Sequence, residues 1–238
     1  MTRLPAGARK LLLALAALAA CAWATPTFVQ ANQGAATSLA FTSANSAGDL
    51  LVLGVENNAF TVGPLSASDT QGNTWHSACG PAVSSENQAV QLFYVVNSRA
   101  GSNTVSVTGT GGNYTNMVVA EYSGVATSSP LESPCGSGTG SSATASTGAF
   151  SVTTGDLTIA MGVMGAGGTT AGSGFTSRGT DTFSMLEDQV AASGTANATV
   201  GGTSHPWAIV AAGFRPPGSA SHPPCALALI GAGGCERP

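Results

Sequence analysis

Eleven acidic residues and three histidines supply most of the side chains in this sequence that could move a proton. Glu56, Glu121, Glu187 and Asp188 sit on or beside apolar runs, where two carboxyls across a cleft could act as acid and base on a glycosidic bond. Glu187 and Asp188 are adjacent, however, and neighbours on a strand point to opposite faces, so this pair does not straddle one substrate. His205 precedes Pro206 at the entrance to an apolar run and His222 falls in a Pro-rich stretch, so both read as surface residues rather than bases. No Gly-x-Ser-x-Gly elbow, Walker loop or dinucleotide fingerprint occurs. These residues describe no active site, and the chain is expected to be non-catalytic.

Binding chemistry has more to work with. In Asp69-Thr70-Gln71-Gly72-Asn73, the oxygens of Asp69 and Asn73 stand at turn spacing and could serve calcium. The same residues suit a metal-free hairpin turn, in which Asp and Asn bond to nearby backbone and Gly takes a positive φ, and this is the stronger reading. Among the scarce aromatics, Trp75, Tyr114 and Trp207 are the candidates for a sugar-binding face. Trp75 and Trp207 also suit the role of core caps, which leaves Tyr114, in a Gly-rich loop, as the most exposed of the three.

These candidates must be carried by strands. Asn103 to Thr108 alternates strictly, with Val105 and Val107 on one face, and Asp156 to Val163 repeats the pattern with Leu157, Ile159, Met161 and Val163 inward and Thr158, Ala160 and Gly162 outward. Further strands are expected over 38–42, 49–56, 88–96, 116–122, 184–191, 196–200 and 207–214, with Gly, Ser, Asn or Pro in nearly every gap. Ala47-Gly48-Asp49-Leu50 resembles Thr154-Gly155-Asp156-Leu157, each opening a strong strand, and this points to an internal duplication. The expected fold is an all-β, jelly-roll-like antiparallel sandwich with two similar halves, joined by a Gly/Ser/Thr/Pro-rich crossing over 123–146.

The leader sets the compartment. Arg3, Arg9 and Lys10 precede an all Leu/Ala run from Leu11 to Ala20, followed by Ala22-Trp23-Ala24, the order of a signal peptide. Residues 1–24 are therefore expected to be removed on export, leaving one domain over 25–216 and a Pro/Gly/Ala-rich tail over 217–238. Leu18-Ala19-Ala20-Cys21 also fits a lipoprotein cleavage box, so a lipid anchor at Cys21 is the alternative to free secretion. The apolar run is too short to span a bilayer. Beyond the leader, four arginines face eleven acids, a net charge of −7 with no lysine, and a nucleic-acid partner is excluded on that ground.

Four cysteines remain in the exported part, an even number suited to two disulfides in an oxidising compartment. Of the three pairings, Cys79 with Cys135 and Cys225 with Cys235 is favoured, with free thiols as the alternative. No cysteine or histidine spacing suits tetrahedral zinc, and no cofactor beyond the calcium candidate is expected.

Several ordered motifs carry a family likeness: Phe28-Val29-Gln30, Asp69-Thr70-Gln71-Gly72-Asn73-Thr74-Trp75, Gly101-Ser102-Asn103-Thr104-Val105, Ala120-Glu121-Tyr122-Ser123-Gly124 and, later, Gly172-Ser173-Gly174-Phe175-Thr176-Ser177-Arg178 with Trp207. Over residues 28–215 the chain resembles a group of uncharacterised bacterial secreted β-sandwich modules found beside immunoglobulin-like domains in extracellular and surface proteins. The resemblance implies a sandwich fold and a secreted or outer-envelope location. It implies no catalytic residues. The expected function is binding or structural at the cell surface, with an extracellular glycan or surface protein as partner; an adhesive spacer without a small ligand is the alternative, and a polysaccharide-active enzyme comes third.

Overall fold

The computed structural model describes residues 24–58, 64–109, 111, 114–191 and 194–218. The leader to residue 23, with Cys21, and the tail from residue 219, with His222, Cys225 and Cys235, lie outside the described residues. Thr25–Pro217 is one compact unit of strands.

The first half contributes β1 (Thr27–Ala35), β2 (Ser38–Ala40), β3 (Leu50–Asn58), β4 (Ser66–Asp69), β5 (His76–Val83), β6 (Gln88–Val95), β7 (Thr104–Thr108) and β8 (Thr115–Ser123). Five of these form an antiparallel sheet in the order β1-β8-β3-β6-β5, and three form a smaller one, β2-β7-β4. The second half contributes β9 (Gly136–Ser146), β10 (Phe150–Ser151), β11 (Leu157–Met164), β12 (Thr176–Thr180), β13 (Ser184–Val190), β14 (Thr195–Ala196) and β15 (Thr199–Phe214). Its large sheet runs β9-β15-β11-β13-β12, with β10 paired to β14.

These are the same path through space. In each half the first strand pairs with the last, the last with the strand opened by Gly-Asp-Leu, that strand with β6 or β13, and this one with the strand just before it in sequence, β5 or β12. The register agrees as well: Leu50 stands opposite Tyr122 as Leu157 stands opposite Phe214. The two halves anticipated from the repeated tetrapeptide are therefore present.

The large sheets pack face to face, with β5 against β9 and β15 and β1 against β12. Alternation in the strands divides the apolar residues among three cores. Leu50, Val52, Val118, Ala120 and Tyr122 meet Leu157, Ile159, Met161, Val210 and Phe214 in the central one. The opposite faces pack outward: Leu51, Leu53, Val55, Met117 and Val119 with Phe41, just after β2, and with Val105 and Val107 of the small sheet, and Ala160, Met164, Ile209 and Ala211 with Phe150, Ala196 and Ala198. The result is four β layers, so each central strand is covered on both faces and is buried along most of its length.

Two expectations change. Thr158, Ala160 and Gly162 do not face solvent; they face the second outer core, and Thr158 and Ala160 are fully buried. The crossing over 123–146 ends in a strand, β9, whose alternate glycines lie flat under aromatic rings. A Cβ on Gly136 would come within 2.5 Å of Phe150, and one on Gly140 within 2.5 Å of Trp207. Cys79 of β5 is bonded to Cys135, just before β9, so the favoured first disulfide joins the two halves.

Candidate functional site

The ends of four elements meet at one end of the seam between the halves. β3 finishes at Asn58, β6 begins at Gln88 after the turn over 84–87, β11 gives way to Gly165, and β13 follows the turn over 181–183. Asn58, Glu86, Gln88, Gly165 and Phe183 line a cleft of about 220 Å³ there. Each half supplies part of the wall.

The turns are held by side-chain to backbone bonds, as the polar residues in them favour. The Ser84 hydroxyl accepts from the backbone N–H of Gln88 at 3.2 Å, which sets the start of β6. Asp181 Oδ1 accepts from the backbone N–H of Phe183 at 2.8 Å and of Ser184 at 2.6 Å, and Asp181 Oδ2 accepts from the Tyr114 hydroxyl. Asn58 N–H donates to the Tyr114 carbonyl at 2.9 Å. Phe183 is thereby fixed at the lip with 38% of its surface exposed.

The floor is polar. Gln88 is buried, and its Oε1 has no hydrogen-bond partner. His205 Nδ1 stands 3.2 Å from Glu86 Oε2. Gly165 is required at the back, since a Cβ there would come within 2.5 Å of His205 Nδ1 and 3.0 Å of Gln88 Oε1.

Behind the turn over 181–183 lies Glu56, 1% exposed and hydrogen-bonded with Ser184, whose hydroxyl also receives the Asn116 side-chain amide at 2.9 Å. Its Oε2 has no partner. Burial pushes the Glu56 carboxyl up to about 7, the nearby Asp181 charge adds to the effect, and the Ser184 bond opposes it. Burial and the bond to Asp181 likewise hold the Tyr114 hydroxyl well above its ordinary value.

The aromatic candidates are not brought together. Trp75 packs on the outer core of the first half and its Nε1–H donates to Asp69 Oδ2 at 3.0 Å. Trp207 is buried in the outer core of the second half and its Nε1–H donates to Ser142 at 2.9 Å. Only Tyr114 reaches the seam. An exposed face shared by the three does not exist, because both indoles cap separate cores.

Asp69 and Asn73 have their oxygens turned to N–H groups. Asp69 accepts from the Asn73 backbone at 3.0 Å, the Asn73 amide at 2.8 Å, the Asn103 amide at 3.1 Å and Trp75. Asn73 Oδ1 accepts from the backbone N–H of Arg99 at 2.9 Å. Burial alone would raise the Asp69 carboxyl, but these bonds to its charged form outweigh it and leave it below the ordinary value. This is a turn closed by its own side chains, but it is not the expected hairpin, because β4 pairs with β7 of the small sheet and β5 with β6 of the large one. Among the described residues no group of three or more His, Cys, Asp or Glu side chains is placed to hold a metal.

The remaining strand carboxylates are engaged internally. Glu121 accepts from Gln30, Asn45 and the Ser46 backbone. Glu187 accepts from Gly172 N–H at 2.7 Å, while Asp188 pairs with Arg178 at 2.7 Å. Glu187 and Asp188 thus go opposite ways, as strand geometry requires.

Sequence reasoning missed Asn58, Glu86, Gln88, Asp181 and Phe183. One signal for them was present: Phe183 is an aromatic ring in a polar turn just ahead of an apolar strand, where no core requires it.

The fold and cleft together define an all-β sandwich of two similar halves with a polar concavity on their seam. Comparison of the chain with protein-family models, curated proteins and solved structures found no match.

Proposed function

We propose that the chain is an exported, non-catalytic surface module that binds a neutral polar ligand, a glycan above all, in the seam cleft. The observation that carries this reading is the lining of one cleft by the exposed Phe183 ring, the buried Gln88 amide and Glu86, whose carboxylate stands 3.2 Å from His205. A sugar offers an apolar C–H face to an aromatic ring and hydroxyls to amides and carboxylates, and small-ligand sites combine those two kinds of contact. Glu86 and Asp181 give this end of the seam an acidic character, which favours a neutral ligand over an anionic one. The Arg3–Ala24 leader and the likeness to secreted sandwich modules support a location outside the cytoplasm, with release after Ala24 ahead of anchoring at Cys21.

The reading is tested by a glycan array followed by calorimetry on the hits. Binding of a neutral oligosaccharide that falls about tenfold or more in Phe183→Ala, the loss of one stacking contact and its pocket, and that is unaffected in Val29→Ala supports it. An array without neutral hits removes it in favour of a structural spacer, a reading supported by the Ser/Thr-rich outer faces of β4 and β9.

A further inference from the structure

A second concavity lies at the other end of β6. It measures about 290 Å³, and its walls include Gly72, Asn73, Thr74, His76, Asn97 and Arg99. Along the eight residues of β6, it stands roughly 25 Å from the seam cleft at the usual strand rise.

Its charge is unusual for this molecule. Arg178 is paired with Asp188 at 2.7 Å and Arg215 with Glu132 at 2.6 Å, whereas Arg99 has no carboxylate within ion-pair distance among the described residues. The guanidinium is nevertheless held in place. Arg99 Nη1 donates to the Gln71 carbonyl at 3.0 Å, and its backbone N–H is fixed by Asn73, which Asp69 fixes in turn. Gly72, at φ 68°, leaves room for it: a Cβ there would sit 3.3 Å from Nη1. Nη1 is therefore tethered at the turn, while Nε and Nη2 carry donors that no described residue takes up.

We infer that this pocket is a binding site for a carboxylate-bearing sugar, the acidic group lying on Arg99. A guanidinium fork matches a carboxylate in shape and charge. Thr74 and Asn97 supply hydroxyl and amide groups to sugar hydroxyls. His76, whose ring centroid lies 5.5 Å from that of Tyr94, adds a flat aromatic surface to the lining. The net charge of −7 beyond the leader repels a long polyanion, so the ligand carries one or a few acidic groups. The site is separate from the seam cleft and does not depend on it.

The test is nitrogen-15 NMR of the arginine side chains in the mature protein, titrated with sodium glucuronate and, in parallel, with glucose. The Arg99 Nε–H signal is expected to shift and saturate with glucuronate in the millimolar range usual for a single sugar contact, and to stay unmoved with glucose. Arg99→Gln reduces affinity about tenfold or more, the loss of a charge-assisted bond, and Arg99→Lys weakens it, each with Trp75 fluorescence unchanged as a check on the fold. Phe183→Ala leaves glucuronate binding intact, which separates this site from the seam. No saturating shift, an equal shift with glucose, or glucuronate binding that survives in Arg99→Gln overturns the inference.

Discussion

Cys79, on the edge strand of the first large sheet, is joined through sulfur to Cys135, the residue that leads into the edge strand of the second. The bond closes a loop of 56 residues and ties the halves together at one edge of the central core. Loop-closure entropy for a ring of this length corresponds to about 4 kcal/mol in the chain-entropy treatment. The Cys79→Ala/Cys135→Ala protein is expected to unfold at markedly lower urea, with the loss close to that figure. Reduction of the native protein should reproduce the shift. A midpoint unchanged by either treatment would mean that the central core alone holds the halves.

Strands β3, β6, β8 and β11 were legible because each carries an apolar run or alternation that no helical period competes with. The repeated Gly-Asp-Leu further revealed that two such sets occur. The second outer core was not legible. Thr158, Ala160 and Gly162 look like a solvent face until β10, β14 and the first part of β15 cover them, and nothing near them in sequence announces that cover. β9 was hidden for a related reason: Gly has little intrinsic drive to form a strand, and Gly140 is explained by the ring of Trp207, far along the chain. The seam cleft was the least legible of all, since Asn58, Gln88 and Phe183 meet only when the halves are stacked. Tyr114 was found because an aromatic in a Gly-rich loop stands out locally.

Gly138 should be intolerant of any side chain. A Cβ there would come within 2.1 Å of the Ser146 carbonyl oxygen, a backbone atom that cannot swing aside. Gly138→Ala is expected to cost about 3 kcal/mol, the upper range for overpacking. Gly148 offers the contrast, because its Cβ would meet nothing within 4 Å but its φ is 66°. Gly148→Ala should cost about 1 kcal/mol, the strain of a left-handed residue alone. Thermal denaturation of the two variants orders them; the reverse order would contradict the close packing of β9.

The buried carboxyls set a pH dependence of definite sign. Glu56 and Glu187 are each raised to about 7, and Asp156 to about 6, in every case by burial first. A folded state that holds protons more tightly than the unfolded one is favoured at low pH, so this stability is complete below the ordinary value of 4.5 and is lost as pH rises through about 7. For Glu56 alone the full loss is about 3 kcal/mol. Asp69 and Glu132 are lowered and act in the opposite direction, withdrawing stability on stronger acidification. Stability should therefore peak in mildly acidic solution. Glu56→Gln, which has no proton to lose, is expected to flatten the decline between pH 5 and pH 8 in urea midpoints. An equally steep decline in that variant would place the effect elsewhere.

Asp69 decides between a metal loop and a turn closed by hydrogen bonds. Its four N–H donors approach both oxygens, and they come from Asn73, Trp75 and Asn103, so the carboxylate links the turn to the Trp75 ring and to the residue just ahead of β7. Calcium would have to displace donors that already satisfy the charge, and N–H groups cannot become its ligands. Addition of calcium, or of a chelator, is expected to leave the melting temperature unchanged. Asp69→Ala strands several donors at once, one of them the partly buried indole N–H, and should lower stability by about 2 kcal/mol while altering Trp75 fluorescence. Because the same turn anchors Arg99 through Asn73, Asp69→Ala should also broaden the Arg99 side-chain signal; a calcium-dependent rise in melting temperature in the native protein, absent from this variant, would restore the metal reading.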